Sequence, residues 1–97
     1  MTKEEIIEFL KEKREYLYKE FGVVKIGIFG SYSRNEQNQV SDLDIVVDFE
    51  DGKKNIHNFL NLKRFLEKQL SIKVDLATES SIKSSIKKYV LQDLIYV

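Results

Sequence analysis

The stretch that decides the fold runs from Ile26 to Phe49 and reads IGIFGSYSRNEQNQVSDLDIVVDF. Apolar runs stand at its two ends, Ile26, Ile28 and Phe29 first and Leu43 to Phe49 second, and the polar residues lie between them. The first run reads as a short buried strand, closed by Gly30-Ser31, a tight turn whose bare backbone can approach an anion such as phosphate. The second run is nearly continuous in apolar content, which places it near the centre of a sheet. Asp42 and Asp44 open it at positions i and i+2, so their carboxylates point the same way while Leu43 and Ile45 enter the opposite face. Two carboxylates held side by side suit a hard divalent cation such as Mg²⁺.

Upstream of this stretch, Thr2 followed by Glu5 has the form of a capping box. Ile6, Leu10, Leu17 and Phe21 then share one face of a first helix that Gly22 stops. Lys11, Lys13 and Arg14 alternate with Glu8, Glu12 and Glu15, the pattern of a solvated face rather than of a cationic binding helix. Val23 to Phe29 is the first strand, and Gly30 to about Gln37 is expected to form the first turns of a short helix whose N-terminus faces the site. A glycine and a capping serine also occur at strand-to-helix turns that bind nothing, so Gly30-Ser31 alone does not decide its role. Tyr32 is open between packing and touching a base. Asn35 to Ser41 is a polar loop.

Downstream, Glu50-Asp51-Gly52-Lys53 reads as a turn. From Asn55 to Leu70 the apolar residues Ile56, Phe59, Leu60, Leu62, Phe65, Leu66 and Leu70 describe an amphipathic helix covering the sheet. His57, the single histidine, has no partner for a metal cluster or a triad and is expected at the surface. Ile72 to Ala77 alternates as another strand, with Lys73 and Asp75 on its polar side. An aspartate in a strand is disfavoured by propensity, so Asp75 is either solvated at a strand end or functional. The last helix is expected to begin at Thr78 to Ser81 and to bury Ile82, Ile86, Tyr89 and Val90. Leu94 to Val97 is read as a short edge strand that also serves as a contact surface for another protein. Strands alternating with helices give an α/β fold, a mixed β-sheet with flanking helices.

Ninety-seven residues with 42% hydrophobic content are expected to form one domain, residues 1–97, too small for a second substrate-binding lobe. Sixteen basic residues balance sixteen acidic ones, so net charge steers the chain toward neither nucleic acid nor an anionic membrane, and direct nucleic-acid binding is not indicated. The absence of cysteine excludes disulfides, thiolate zinc sites and thiol catalysis, in keeping with a reducing cytoplasm. The start, Met1-Thr2-Lys3-Glu4-Glu5, is too charged to open a signal peptide, and no apolar run approaches membrane-spanning length. A cytoplasmic location is the expectation.

Gly30-Ser31, ten residues, then Asp42-Leu43-Asp44 resembles the GS-x10-DxD pattern of the DNA polymerase β-like nucleotidyltransferase superfamily. Across essentially its whole length the chain is similar to the superfamily's minimal nucleotidyltransferase (MNT) members. At average residue frequencies, four fixed positions at this spacing arise by chance in roughly one 100-residue chain per thousand, and the strand context narrows that further. The resemblance implies a third carboxylate on a later strand, for which Asp75 is the match, and a basic residue where Arg34 stands. Many relatives read Gly-Ser-x-Ala-Arg-Gly, whereas this chain has Ser33 for the alanine and Asn35 for the last glycine. Asparagine tolerates left-handed backbone better than most residues, so the second departure is mild.

What the resemblance implies is transfer of AMP from ATP to an acceptor hydroxyl with release of pyrophosphate. Asp42, Asp44 and Asp75 would be catalytic and would bind Mg²⁺, and Gly30, Ser31 and Arg34 would bind the nucleotide. The partner it implies is a helical HEPN ribonuclease toxin, modified on a tyrosine, with this chain as the antitoxin in a hetero-oligomer. Two alternatives stand beside it: a non-catalytic antitoxin that neutralises the HEPN partner by covering it, and a transferase acting on a small molecule or RNA.

Overall fold

The computed structural model describes residues 1–97. Its frame is a four-stranded sheet in the order β3-β2-β1-β4, in which β1 (Val23–Phe29) runs antiparallel to both β2 (Leu43–Phe49) and β4 (Ile95–Tyr96), while β3 (Val74–Thr78) runs parallel to β2. The parallel pair needs a crossover, and the fifteen-residue helix α4 (Ile56–Leu70, named fourth in chain order) supplies it. The two strands of the deciding stretch are therefore the two inner ones, the second as its apolar content predicts.

Alternation divides the sheet into two unlike faces. Ile26, Ile28, Leu43, Ile45, Val47, Phe49, Val74 and Leu76 point to one side and meet Leu62, Leu66 and Leu70 of α4 and Ile6, Leu10 and Leu17 of the N-terminal helices in one core. The other side carries Lys25, Gly27 and Phe29 from β1, Asp44, Val46 and Asp48 from β2, and Asp75 and Ala77 from β3. Half of these are charged, against none on the core side, and the candidate site residues lie at one end of this face. Tyr32 is 5% exposed and belongs to the core, which resolves its role as packing.

The capping box is formed: Thr2 Oγ1 accepts from the Glu5 amide at 3.1 Å, and Glu5 Oε1 accepts from the Thr2 amide at 2.9 Å. What reads in sequence as one helix is two, α1 (Lys3–Glu12) and α2 (Arg14–Phe21), bent at Lys13, where φ is −92° and ψ is 2°. Lys13 itself keeps both its bonds, its amide to the Phe9 carbonyl at 3.0 Å and its carbonyl from the Leu17 amide at 2.8 Å, so the two helices share it as a joint. Gly22 ends α2 with φ of 70°, the left-handed geometry expected of it.

The last helix differs more. Glu79–Ser81 is a separate 3-10 turn, and α5 (Ser84–Asp93) begins later than expected and has no buried residue. Ile86 is 50% exposed and Tyr89 66%, so the anticipated stripe is not buried. Lys87 of α5 and Asp48 line one hollow, so α5 lies toward the charged face, where Lys25, Asp44, Asp48 and Asp75 break up the apolar surface a helix could cover. Ile56, 64% exposed, likewise stands outside the packed stripe of α4. The C-terminal edge strand is present: Tyr96 pairs with Gly27, Ile95 with Ile28, and the Val97 amide bonds the Ile26 carbonyl at 2.9 Å.

Candidate active site

Strand register sets the site. Phe29 pairs with Asp44 across the antiparallel β1–β2 ladder, and Asp44 pairs with Asp75 across the parallel β2–β3 ladder, so the three residues form one row on the charged face. Neighbouring strands lie about 4.8 Å apart, close enough for the Asp44 and Asp75 side chains to hydrogen-bond. Asp42 precedes β2 by one residue and shares the parity of Asp44. It is exposed, as is Asp75, while Asp44 is half-buried.

Gly30 follows Phe29 and opens the four-residue helix α3 (Gly30–Ser33). Its φ is +73°, a conformation L side chains rarely adopt. A Cβ there would also strike the Asp44 carboxylate, lying 3.1 Å from its Cγ. The turn is thus a glycine for two independent reasons, backbone geometry and the approach of the metal-ligand candidate. Asn35, with φ of 58°, takes the left-handed position after α3 where relatives have glycine.

Burial raises the Asp44 pKa most, followed by the charge of Asp75, a hydrogen bond to Asp75 and the charge of Asp42, while the Arg34 charge opposes them, leaving it raised from 3.8 to about 6. Folded Asp44 therefore keeps its proton up to about pH 6, whereas the unfolded chain releases it near 3.8. The folded state binds more protons across that window, so metal-free stability is greatest below it and falls as pH rises through it. With solvent screening of a half-exposed group, the loss is expected to be about 1–2 kcal/mol. Urea melts in EDTA between pH 4.5 and 7.5 check this. The wild type should lose stability relative to Asp44→Asn across that range, and parallel profiles would show that Asp44 carries no such strain.

The structure thus brings Gly30, Ser31, Asp42, Asp44 and Asp75 to one corner of the sheet and places Arg34 close enough for its charge to act on Asp44. No three acidic or imidazole side chains are set as a ready-made metal cage. The donors present are nevertheless those a hard cation takes, carboxylate oxygens only, and their mutual repulsion, seen in the raised Asp44 pKa, is what a divalent ion would relieve. The site is an open shelf. A hollow of about 170 Å³ lined by Arg14, Leu17, Lys25 and Val97 lies toward the other end of β1 and contains none of these residues.

Sequence reasoning missed Asp93. It is the last residue of α5, and its Oδ2 accepts from Arg34 Nη1 at 2.6 Å while its carbonyl accepts from the Ser33 hydroxyl. No local signal joins positions some 60 residues apart. Gly27 was missed too: a Cβ there would lie 2.9 Å from both the Ile95 carbonyl and Leu94 Cδ1, so its bareness admits the C-terminal strand. A lone glycine amid strand residues is a recognisable mark of close backbone approach.

The family model for a nucleotidyltransferase domain matches residues 3–97. The protein adenylyltransferase MntA of Thermococcus cleftensis is 44% identical over 97 residues, spanning 100% of this chain and 97% of that one. A candidate minimal nucleotidyltransferase of known structure superposes with a TM-score of 0.82 at 29% identity, covering 98% of this chain and 95% of that one. A toxin-antitoxin crystal structure with AMP-PNP gives a TM-score of 0.70 at 25% identity, covering 99% of this chain and 72% of its match. The chain belongs to the nucleotidyltransferase domain family, in its minimal form, and is a nucleotidyltransferase.

Proposed function

We propose that the chain transfers AMP from ATP to a hydroxyl of a partner protein, a tyrosine of a helical HEPN-type ribonuclease toxin, and so acts as the antitoxin of the pair. The observation that carries this reading is the Asp44–Asp75 register beside Gly30: acidic ligands and a phosphate-accessible turn meet at one corner. It is supported by the protein adenylyltransferase name of the Thermococcus relative and by the likeness to a toxin-antitoxin complex holding AMP-PNP.

Asp42, Asp44 and Asp75 would hold Mg²⁺, which when bound supplies positive charge to the phosphates and lowers the cost of the departing pyrophosphate. Gly30 leaves the backbone open to the terminal phosphates, Ser31 adds its hydroxyl as a donor, and Arg34 adds a guanidinium suited to phosphate oxygens. Asp75, exposed at the end of the row, would accept the proton of the incoming hydroxyl. The acceptor oxygen then bonds to the α-phosphorus, the bond from that phosphorus to the bridging oxygen of the β-phosphate breaks, and pyrophosphate leaves.

The test uses α-labelled ATP, Mg²⁺ and the product of the neighbouring gene. Label is expected on a tyrosine of that protein, with loss of its ribonuclease activity. Asp75→Asn should keep nucleotide binding and complex formation while transfer falls by about 100-fold or more. If that variant still silences the toxin and mass spectrometry finds no AMP on it, covering rather than modification is the mechanism. Label appearing only on a small molecule or RNA would move the acceptor to that class.

A further inference from the structure

Arg34 lies on the surface, its side chain 42% exposed, yet it is held from two sides. Asp93 takes its Nη1 at 2.6 Å and Glu36 faces its Nε at 3.4 Å. Of the two acids Asp93 is the better anchored: its side chain is 27% exposed against 64% for Glu36, and its own carbonyl holds the buried Ser33 hydroxyl. Covalently it sits two residues before β4, which the β1 ladder fixes at Gly27 and Ile28. Asp93 thus closes α5 next to a strand held in the sheet, and the long Arg34 side chain is tied to it. Asp93 takes one Nη1 donor and Glu36 faces Nε, and of the five N–H donors in the fork the others remain for a ligand.

We propose that Asp93 is a positioning residue for the nucleotide: its carboxylate holds the Arg34 guanidinium at the edge of the carboxylate row, in the place where it meets the triphosphate. This rests on the nucleotide site proposed above. An unanchored arginine would have to be ordered by each nucleotide that binds, and it would be free to swing onto Asp42 or Asp44 and compete with the cation for them. Held by Asp93, its charge reaches Asp44 without displacing the Asp44–Asp75 contact. The final turn of α5, remote in sequence from Gly30-Ser31, becomes part of nucleotide recognition.

Asp93→Asn isolates this role, because the substitution removes the charge while the main-chain carbonyl that holds Ser33 stays. MgATP is titrated calorimetrically into the wild type, Asp93→Asn, Asp93→Glu, Arg34→Gln and the Arg34→Gln/Asp93→Asn double variant, each with its melting temperature. Asp93→Asn is expected to weaken MgATP by about 3- to 10-fold with an unchanged melting temperature, and the double variant to be no weaker than Arg34→Gln alone. Asp93→Glu keeps the charge and most of the affinity, an arm that reads out even if the asparagine variant folds poorly. Unchanged or tighter binding by Asp93→Asn, or losses that multiply in the double variant, would overturn the assignment while leaving the nucleotide site intact. A wild type that binds no MgATP would overturn the site and this inference together.

Discussion

Gly30→Val is expected to lower MgATP affinity by about 100-fold or more, the largest effect of any single change outside the carboxylates. Two separate clashes produce it. At φ of +73° a β-branched side chain is strained by its own backbone, and its Cβ would displace the Asp44 carboxylate from the position the β1–β2 register gives it. Relief requires α3 to move, and with it the amides that would face the phosphates. Backbone strain of this kind costs about 1–3 kcal/mol, so a fall in urea midpoint should accompany the loss of binding. Gly30→Ala keeps both the positive-φ strain and the Cβ contact but lacks the branches, so the difference between the two variants measures what branching adds. Calorimetric titration of a folded Gly30→Val protein that bound MgATP like the wild type would show that the nucleotide does not approach this turn.

Asp42→Asn and Asp44→Asn should each reduce transfer by about 1,000-fold or more while the sheet stays intact, since on the proposed mechanism they remove carboxylates whose bound cation acts on charge developing in the transition state. The two should differ in stability. Asp44 is half-buried and pressed by Asp75 and Asp42, so its neutralisation relieves a destabilising ionisation, and Asp44→Asn should melt above the wild type at pH 7.5 in EDTA. Asp42 is exposed, and Asp42→Asn should melt close to the wild type. Added Mg²⁺ should raise the melting temperature of the wild type and leave both variants nearly unmoved. Transfer at the wild-type rate in either variant would remove that residue from the reaction.

The deciding stretch was legible because its signals are local. Leu43 to Phe49 is apolar beyond mistake, Gly30 needs only its neighbours to be read as a turn, and the parity of Asp42 and Asp44 follows from strand geometry alone. Asp75 is a different case: its strand could be read, but not its register, and only the pairing of Asp44 with Asp75 places it in the site. Asp93 was beyond reach for the same reason, carried further. It acts through a contact across some 60 residues, made by a helix whose own pattern misled. Ile82, Ile86, Tyr89 and Val90 have helical spacing, but spacing reports a face, and whether that face is covered depends on what lies opposite. Here the opposite surface is the charged side of the sheet. The bend at Lys13 carries no glycine or proline, the residues by which a break is normally read.

The pairing of Asp44 with Asp75 also bears on the order in which the chain can assemble. Strands β2 and β3 are parallel and joined through α4, so their contact closes a long loop, a slow kind of step. It must close with two like charges arriving side by side, and the closure is carried by the apolar pairs on either side, Leu43 with Val74 and Ile45 with Leu76. Those pairs sit in the core and draw the strands together, while the aspartates between them oppose the closure by their like charge, an opposition that a proton or a cation relieves. The same pairs of apolar side chains that close the β2–β3 ladder therefore also set the spacing of the two acids, so the candidate site is complete only when the core beneath it is packed.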